Sequence, residues 1–205
     1  MADIKFLSKE QSEILIKAIE LQRHRVIVLL MLDCGLRVSE VINLKFNDFD
    51  FKNKLVIVRS LKKRNKKVKR KIPLSDRLYE EIAKYLSKKS GIVPEDYLFP
   101  GRFGNTHITR SSVNKFLTRL NKKLGFSFLY PHCLRHSFGT HHISSGTPLE
   151  NIKTMLGHSS YDTTLIYSQI PENVLRENIN KVTQIEENYL KKFLKGLGIN
   201  KSKEK

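Results

Sequence analysis

The chain has 205 residues, of which 40% are hydrophobic, so it can bury the core of one full-sized domain without a disulfide or cofactor. Its two cysteines, Cys34 and Cys133, do not form a C-x-x-C pair, which disfavours a disulfide framework and a zinc ribbon. The N-terminus has no apolar core of signal-peptide length, and residues 26–32, the most apolar stretch, are too short to span a bilayer. We therefore expect a cytoplasmic protein.

The net charge of the chain indicates a polyanionic partner. Lysine and arginine number 38 against 20 acidic residues, which gives a formal charge of +18 and a pI near 9.9. A merely well-solvated surface is the alternative, but nine of the thirteen residues in 59–71 are basic and none is acidic. Strand-like segments flank this run and it lacks an amphipathic helical face, which favours nucleic acid over a membrane. The nine are Arg59, Lys62, Lys63, Arg64, Lys66, Lys67, Lys69, Arg70 and Lys71.

The first half of the chain predicts three helices and a hairpin. Ser8 and Gln11 form a capping box before a helix that places Ile14, Leu15, Ala18 and Ile19 on one face. Residues 26–32 are apolar all round and predict a buried central helix, which Gly35 ends in a left-handed conformation. Residues 38–44 predict a short helix. Residues 55–59 and 67–74 predict strands joined by a long cationic loop, and residues 97–99 a third strand.

The second half predicts four further helices. Apolar residues recur at helical spacing after Ser75 and after Thr109. Pro131 suits the first turn of the next helix. In the last helix, Thr147 is the predicted N-cap, Pro148 the first helical residue and Glu150 the capping-box acid, and Gly157 ends the helix. The predicted fold is mainly α with a small antiparallel β-sheet (α+β), with one domain over residues 1–182 and a helical, basic tail over residues 183–205.

Four segments hold polar residues that composition does not explain. They are CGLRVSE (34–40), the basic hairpin, PHCLRHSFGTH (131–141) and LGHSSYDTTLIY (156–167). Over nearly the whole chain their order and spacing resemble the tyrosine recombinase (phage integrase) family, including Xer-like members and the short recombinases that invert fimbrial promoter elements. An H-x-x-R-H, then LGH, then a tyrosine nine residues on is a specific combination. The resemblance implies the catalytic-domain fold of that family.

The resemblance also implies the catalytic residues and their roles. It implies that the chain is a site-specific recombinase, which cuts and rejoins DNA through a 3′-phosphotyrosyl intermediate without metal. Glu40 matches a family glutamate and is expected to be structural. Lys62 is the expected general acid, although the longer loop leaves Lys63 open. The full catalytic set is Arg37, Lys62, His132, Arg135, His158 and Tyr167.

The chemistry of these residue types fits such a reaction. Two guanidiniums, here Arg37 and Arg135, can neutralise the extra charge of a pentavalent phosphorane. A tyrosine such as Tyr167 can hold the DNA covalently and still be a fair leaving group for religation. A lysine can protonate the departing 5′-oxygen, His132 can serve as general base or proton relay, and a further histidine, His158, can donate a hydrogen bond to the phosphate.

Several alternatives stand beside this hypothesis. His132, His136, His141, His142 and His158 could form a metal cluster, but an H-E-x-x-H motif and suitably spaced cysteines are absent, so we expect no metal and no cofactor. A catalytically silent DNA-binding regulator, a type IB topoisomerase and a basic RNA-binding protein are the alternative functions. Integration, excision, inversion and chromosome dimer resolution are all compatible with these motifs.

The expected partner is double-stranded DNA, so we expect the protein to be associated with the nucleoid when it is bound to DNA. Its predicted contacts are Arg59, Lys62, Lys63, Arg64, Lys66, Lys67 and Lys69. Larger family members carry an N-terminal domain that closes around DNA, which we do not expect here, unless it is supplied in trans. The resemblance implies a homotetramer on paired sites, with residues 183–197 docking on a neighbouring protomer, and we expect a monomer in free solution. Intramolecular packing of this helix is the alternative.

Overall fold

The computed structural model describes residues 5–60, 68–103 and 106–158. In this part of the chain, helices surround one apolar central helix, and a small sheet lies beside them. The helices are α1 (Lys9–Ala18), α2 (Gln22–Asp33), α3 (Val38–Ile42), α4 (Asp76–Leu86), α5 (Arg110–Leu124), α6 (Pro131–Ser144) and α7 (Leu149–Leu156), and the strands are β1 (Phe49–Asp50), β2 (Leu55–Ser60) and β3 (Val68–Pro73). The predicted mainly helical fold with one small antiparallel sheet is confirmed.

Helix α2 forms the centre of the core. Residues 26–32 are all buried, as their apolar run predicts, and α2 packs against α1, α4 and α6. It ends before Gly35, which has the predicted positive φ of 62°. A Cβ at Gly35 would lie 2.6 Å from Phe138 and 2.8 Å from Leu156, so the site needs glycine for space as well as for conformation. The chain turns sharply here and leads directly into α3.

Helix α1 has the predicted capping box but a different buried face. The Ser8 hydroxyl accepts a hydrogen bond from the Gln11 amide, and the Gln11 side chain accepts one from the Ser8 amide. Ile14, however, is 50% exposed, so its predicted place on the core face is wrong. Leu15 and Ile19 are buried as predicted, and Ser12, whose hydroxyl donates to the carbonyl of Ser8, is buried beside them.

The other helices begin where their capping signals place them, except α7. Ser75 and Thr109 cap α4 and α5, and Pro131 occupies the first turn of α6. In α7 the N-cap is Pro148, so the prediction of Thr147 as N-cap is wrong by one residue. The Thr147 hydroxyl instead lies 3.1 Å from His142 Nδ1. Gly157 ends α7 with a φ of 63°, as predicted.

The sheet has the order β1-β2-β3 and is antiparallel throughout. The prediction that residues 97–99 supply the third strand is wrong, because β1 takes that place. Tyr97 makes only an isolated bridge with Lys45, and Leu98 and Phe99 enter the core as an irregular segment. Helix α3 is shorter than predicted and ends at Ile42.

Side chains alternate across the β2–β3 hairpin. Val56, Val58 and Ile72 face the core together with Arg70, whereas Lys69 and Lys71 are exposed. The register pairs Val58 with Arg70 and Arg59 with Lys69. The predicted cationic loop lies between these strands, largely outside the described residues.

No helix in the described part of the chain combines the length and apolarity needed to cross a membrane.

Candidate active site

Arg135 lies at the centre of the candidate site. It projects from α6, is only 4% exposed, and donates hydrogen bonds to the carbonyls of Gly35 and Leu156. The Gly35 carbonyl lies just after α2, and the Leu156 carbonyl belongs to the last turn of α7. Because a buried guanidinium must be fully hydrogen-bonded to be tolerated, this arginine ties three segments of the chain together.

His158 meets Arg135 just beyond α7. Its Nε2 lies 2.9 Å from Arg135 Nη2. A guanidinium has donors but no acceptor, so this imidazole nitrogen accepts the hydrogen bond and the neutral ring carries its proton on Nδ1. The left-handed Gly157 turns the chain so that His158 follows directly after the helix end. A hydrogen bond from His158 to a phosphate would therefore come from Nδ1.

Arg37 enters the site from the start of α3. Its amide donates to Glu40 Oε2 at 2.8 Å, and its Nη1 lies 3.2 Å from Glu40 Oε1. The Arg37 side chain is 24% exposed, so it borders solvent while its base is held. Glu40 is itself 7% exposed, and hydrogen bonds and charge from Arg70 and Arg37 outweigh burial and lower the pKa of its carboxyl.

His132 lies on the exposed side of α6, one turn before His136. Partial burial and then the positive charges of Arg110, Arg135 and Arg37 lower the pKa of His132. A lowered pKa keeps this imidazole neutral near pH 7, which is the form that can accept a proton. Arg37 and Arg135, the two predicted arginines, are thus both close enough to lower the pKa of His132 by their charge.

Two arginines near this cluster were not among the predicted site residues. Arg110, the first residue of α5, acts on His132, and a cation in the first turn opposes the helix dipole, which is a signal in the sequence. Arg70 forms a buried ion pair with Glu40. The apolar alternation of β3 is the signal that could have placed Arg70 inside.

The predicted DNA-contact residues are described only in part. Arg59 makes an ion pair with Asp48 at 3.1 Å while its side chain stays 52% exposed. Lys69 is exposed on β3 opposite Arg59. The others, Lys62, Lys63, Arg64, Lys66 and Lys67, lie outside the described residues, as does Tyr167.

The histidines of α6 are used within the fold. His141 Nε2 lies 2.9 Å from the carbonyl of Leu7, and the His142 ring packs against Phe138 at a tilt of 53°, with ring centroids 4.3 Å apart. Among residues 5–60, 68–103 and 106–158, no three His, Cys, Asp or Glu side chains gather as metal ligands do. The described cluster is thus cationic, with Arg37, Arg135 and Arg110 around one neutral imidazole, and it suits a phosphate or another anion.

Several known proteins are similar to this chain in sequence. Tyrosine recombinase XerA of Pyrococcus horikoshii is 34% identical over 182 residues, which are 89% of this chain and 62% of the relative. Tyrosine recombinase XerC of Staphylococcus carnosus is 34% identical over 180 residues, covering 84% of this chain and 59% of the relative. The chain therefore spans about three fifths of these relatives.

Solved structures give the same result for the fold. The crystal structure of XerA recombinase superposes with a TM-score of 0.73 at 29% identity, over 86% of this chain and 64% of that one. The Tn1549 transposon integrase, solved in complex with a circular intermediate DNA, shares the fold with a TM-score of 0.70 at 22% identity, over 89% of this chain and 67% of that one. The model of the phage integrase family matches residues 5–173. On the motifs, the fold and these matches together, the chain belongs to the phage integrase family, with a tyrosine recombinase catalytic domain.

Proposed function

We propose that this chain cuts and rejoins DNA at specific sites through a covalent 3′-phosphotyrosyl intermediate, without metal. The observation that carries the proposal is the meeting of four predicted site residues from three distant segments. Arg135 contacts His158 directly and binds the carbonyl two residues before Arg37, and both arginines lower the pKa of His132. The names of the relatives favour recombination over the topoisomerase and silent-regulator alternatives.

In the proposed reaction the phenolic oxygen of Tyr167 attacks a DNA phosphorus as its proton passes to neutral His132. The new bond joins the phosphorus to the tyrosine oxygen, and the bond to the 5′-oxygen breaks. Lys62, or Lys63 in the alternative register, gives this oxygen its proton. Arg37 and Arg135 neutralise the phosphorane, and His158 donates from Nδ1. Attack by a 5′-hydroxyl of the partner strand reverses these steps.

The test is a nicked suicide substrate, from which the short cleaved strand diffuses away and leaves the adduct trapped. A library of nicked duplexes with random sequence removes the need to know the site, and sequencing the trapped DNA identifies it. We expect an adduct in EDTA that Tyr167→Phe abolishes while DNA binding remains. The matched control is Tyr130→Phe, because Tyr130 is exposed two residues before His132 and could compete as nucleophile. An adduct formed by Tyr167→Phe, or one that requires Mg²⁺, would refute the proposal.

The general acid is identified in the same assay with a 5′-sulfur leaving group. A thiolate leaves without a proton, so cleavage that depends on a missing acid recovers on this substrate. We expect Lys62→Ala to cleave normal DNA slowly and the sulfur substrate at the wild-type rate. If Lys63→Ala behaves this way and Lys62→Ala does not, Lys63 is the acid.

A further inference from the structure

Arg70 belongs to the basic run by sequence, but its side chain points into the protein. It is 7% exposed, on the face of β3 that also carries Ile72, and it lies across from Val58. Its neighbours Lys69 and Lys71 are exposed on the other face. Burying a guanidinium is strongly unfavourable unless its donors are paired, so an inward arginine in this strand requires dedicated partners.

The partners of Arg70 come from two different elements. Its Nη1 and Nη2 donate to Glu40 Oε1 and Oε2 at 3.0 and 2.7 Å, a parallel two-bond pair with α3. Its Nε donates to the carbonyl of Met155 in α7 at 2.8 Å. Gly157 lies against the same guanidinium, since a Cβ there would come within 3.0 Å of Nη1. One side chain therefore joins the start of α3 to the end of α7.

Each of these two ends carries a proposed catalytic group. Glu40 also accepts from the amide of Arg37, and Met155 lies three residues before His158. Arg135 binds the carbonyl of Leu156, which directly follows Met155. Arg70 and Arg135 thus hold adjacent carbonyls of α7 and fix the point from which His158 projects.

Arg70 also neutralises the charge of Glu40, which affects Arg37. The Glu40 carboxylate lies near two guanidiniums, but only Arg70 meets it with both nitrogens, whereas Arg37 Nη1 makes one longer contact at 3.2 Å. The negative charge of Glu40 is thereby neutralised mainly by Arg70. Without Arg70, a buried and unpaired carboxylate would draw the Arg37 guanidinium onto itself, because an uncompensated buried charge is strongly unfavourable.

We propose that Arg70 is a positioning residue that occupies Glu40, leaves the charge of Arg37 available to the scissile phosphate, and holds His158 through the end of α7. This inference rests on the proposed function. It assigns Arg70 to the interior of the site and separates it from the other basic residues of the run, which are proposed to meet DNA from outside.

The test compares variants at Arg70 in single-turnover cleavage on the trapped site. Arg70→Met should slow adduct formation by about 100-fold, the order expected when catalytic groups are displaced by about 1 Å, with little change in the Kd for DNA. Arg70→Lys should rescue only part of the rate, because lysine lacks the planar fork. Arg70→Met combined with Glu40→Gln should recover rate relative to Arg70→Met alone, because the carboxylate that captures Arg37 is gone.

Arg77→Met is the matched control for the removal of a paired arginine. Arg77 bridges Asp33 and Glu13 on the α1–α2–α4 side of the fold. It should lower the melting temperature without slowing cleavage at temperatures where the variant is folded. The positioning role is wrong if Arg70→Met cleaves at the wild-type rate. It is also wrong if the double variant, Arg70→Met with Glu40→Gln, cleaves no faster than Arg70→Met alone. Absence of a Tyr167-dependent adduct in the wild type would instead refute the proposed function.

A measurement without DNA examines the same ion pair independently of activity. The pKa of the Glu40 carboxyl, followed by ¹³C NMR, should rise in Arg70→Met, since burial remains while its main stabilising partner is removed. It should stay unchanged in Arg77→Met. If the pKa of Glu40 does not change when Arg70 is removed, the inference is overturned, whatever the cleavage assay shows.

Discussion

At the scale of single residues, the site is organised by arginines held in different ways. Arg135 is buried and held by backbone carbonyls, whereas Arg37 is held by a carboxylate at its base and borders solvent with its tip. Backbone carbonyls do not titrate, so these two hydrogen bonds of Arg135 do not depend on pH while the fold persists. His132 is a group of this cluster whose charge can change near neutral pH, and three arginines act on it.

The first residue-scale prediction concerns the pKa of His132. Arg110 is the strongest of the charges that lower it, after burial, so Arg110→Gln should raise the pKa towards the ordinary value of 6.5. The pH at which cleavage falls off on the acid side should rise with it, because His132 must be neutral to accept a proton. NMR titration of the histidine signals and a pH–rate profile measure the two effects.

Arg119→Gln is the control for this experiment, because Arg119 lies on the same helix but acts on His24. It should raise the pKa of His24 and leave that of His132 unchanged. Equal shifts of both histidines in both variants would mean that overall charge, and not the neighbouring arginine, sets the pKa of His132.

The lowered pKa of His132 also makes the stability of the fold depend on pH. Below pH 6.5 the unfolded chain binds a proton at His132 before the folded protein does, so stability falls as the pH falls towards the folded pKa. Above about pH 6.5 the group is neutral in both states and this destabilisation is absent. Arg110→Gln should therefore make the free energy of unfolding less sensitive to acid in this window.

At the scale of elements, the two faces of the β2–β3 hairpin differ in their surroundings. The inner face places Arg70 against Glu40, and the outer face places Arg59 directly opposite Lys69. Like charges that face each other across strands are unfavourable unless a counter-charge is near. Asp48 meets Arg59 on one side, and a DNA phosphate is the proposed counter-charge for the rest of this face.

The element-scale prediction is a change in the salt dependence of DNA binding. Replacing Lys66, Lys67 and Lys69 with Gln should reduce the slope of log K against log salt by about 0.9 for each phosphate that these lysines no longer neutralise. The matched control replaces Lys17, Lys84 and Lys123, which lie in α1, α4 and α5, and so removes the same charge elsewhere. An equal reduction in both triple variants would show that net charge, rather than this hairpin, governs binding.

At the scale of the whole molecule, the proposed recombination needs two duplexes cut in a coordinated way. Residues 183–197 lie outside the described residues, and their docking on a neighbouring protomer stays a prediction that the family resemblance implies. The described part joins α7 to the centre of the site through Arg135 and Arg70. A segment that follows α7 is thus well placed along the chain to couple assembly with the position of Tyr167.

Truncation after Val182 tests this coupling. We expect a folded monomer that binds DNA but neither forms the four-protomer complex nor completes strand exchange, as measured by light scattering on paired sites. A truncation after Gly198, which removes only the lysine-rich end, should assemble normally. If the shorter protein assembles and recombines as the full chain does, the tail only packs on its own domain.

Features that depend on residues close in the sequence could be predicted from the amino-acid sequence. The capping box at Ser8, the buried helix α2, the left-handed Gly35 and the end of α7 at Gly157 were all predicted, because each depends on residues within a turn or two. The spacing of the motifs likewise pointed to the family and to the residues of the candidate site.

Features that depend on distant partners required the folded chain. Arg70 looks like one more residue of the basic run until Glu40, 30 positions away, and Met155, 85 positions away, surround it. The predicted strand at residues 97–99 was wrong because Leu98 and Phe99 enter the core, and Tyr97 makes only a bridge with Lys45, far away along the chain. In both cases the outcome depended on partners that only folding brings together, whereas a linear pattern records local preferences worth about 1 kcal/mol.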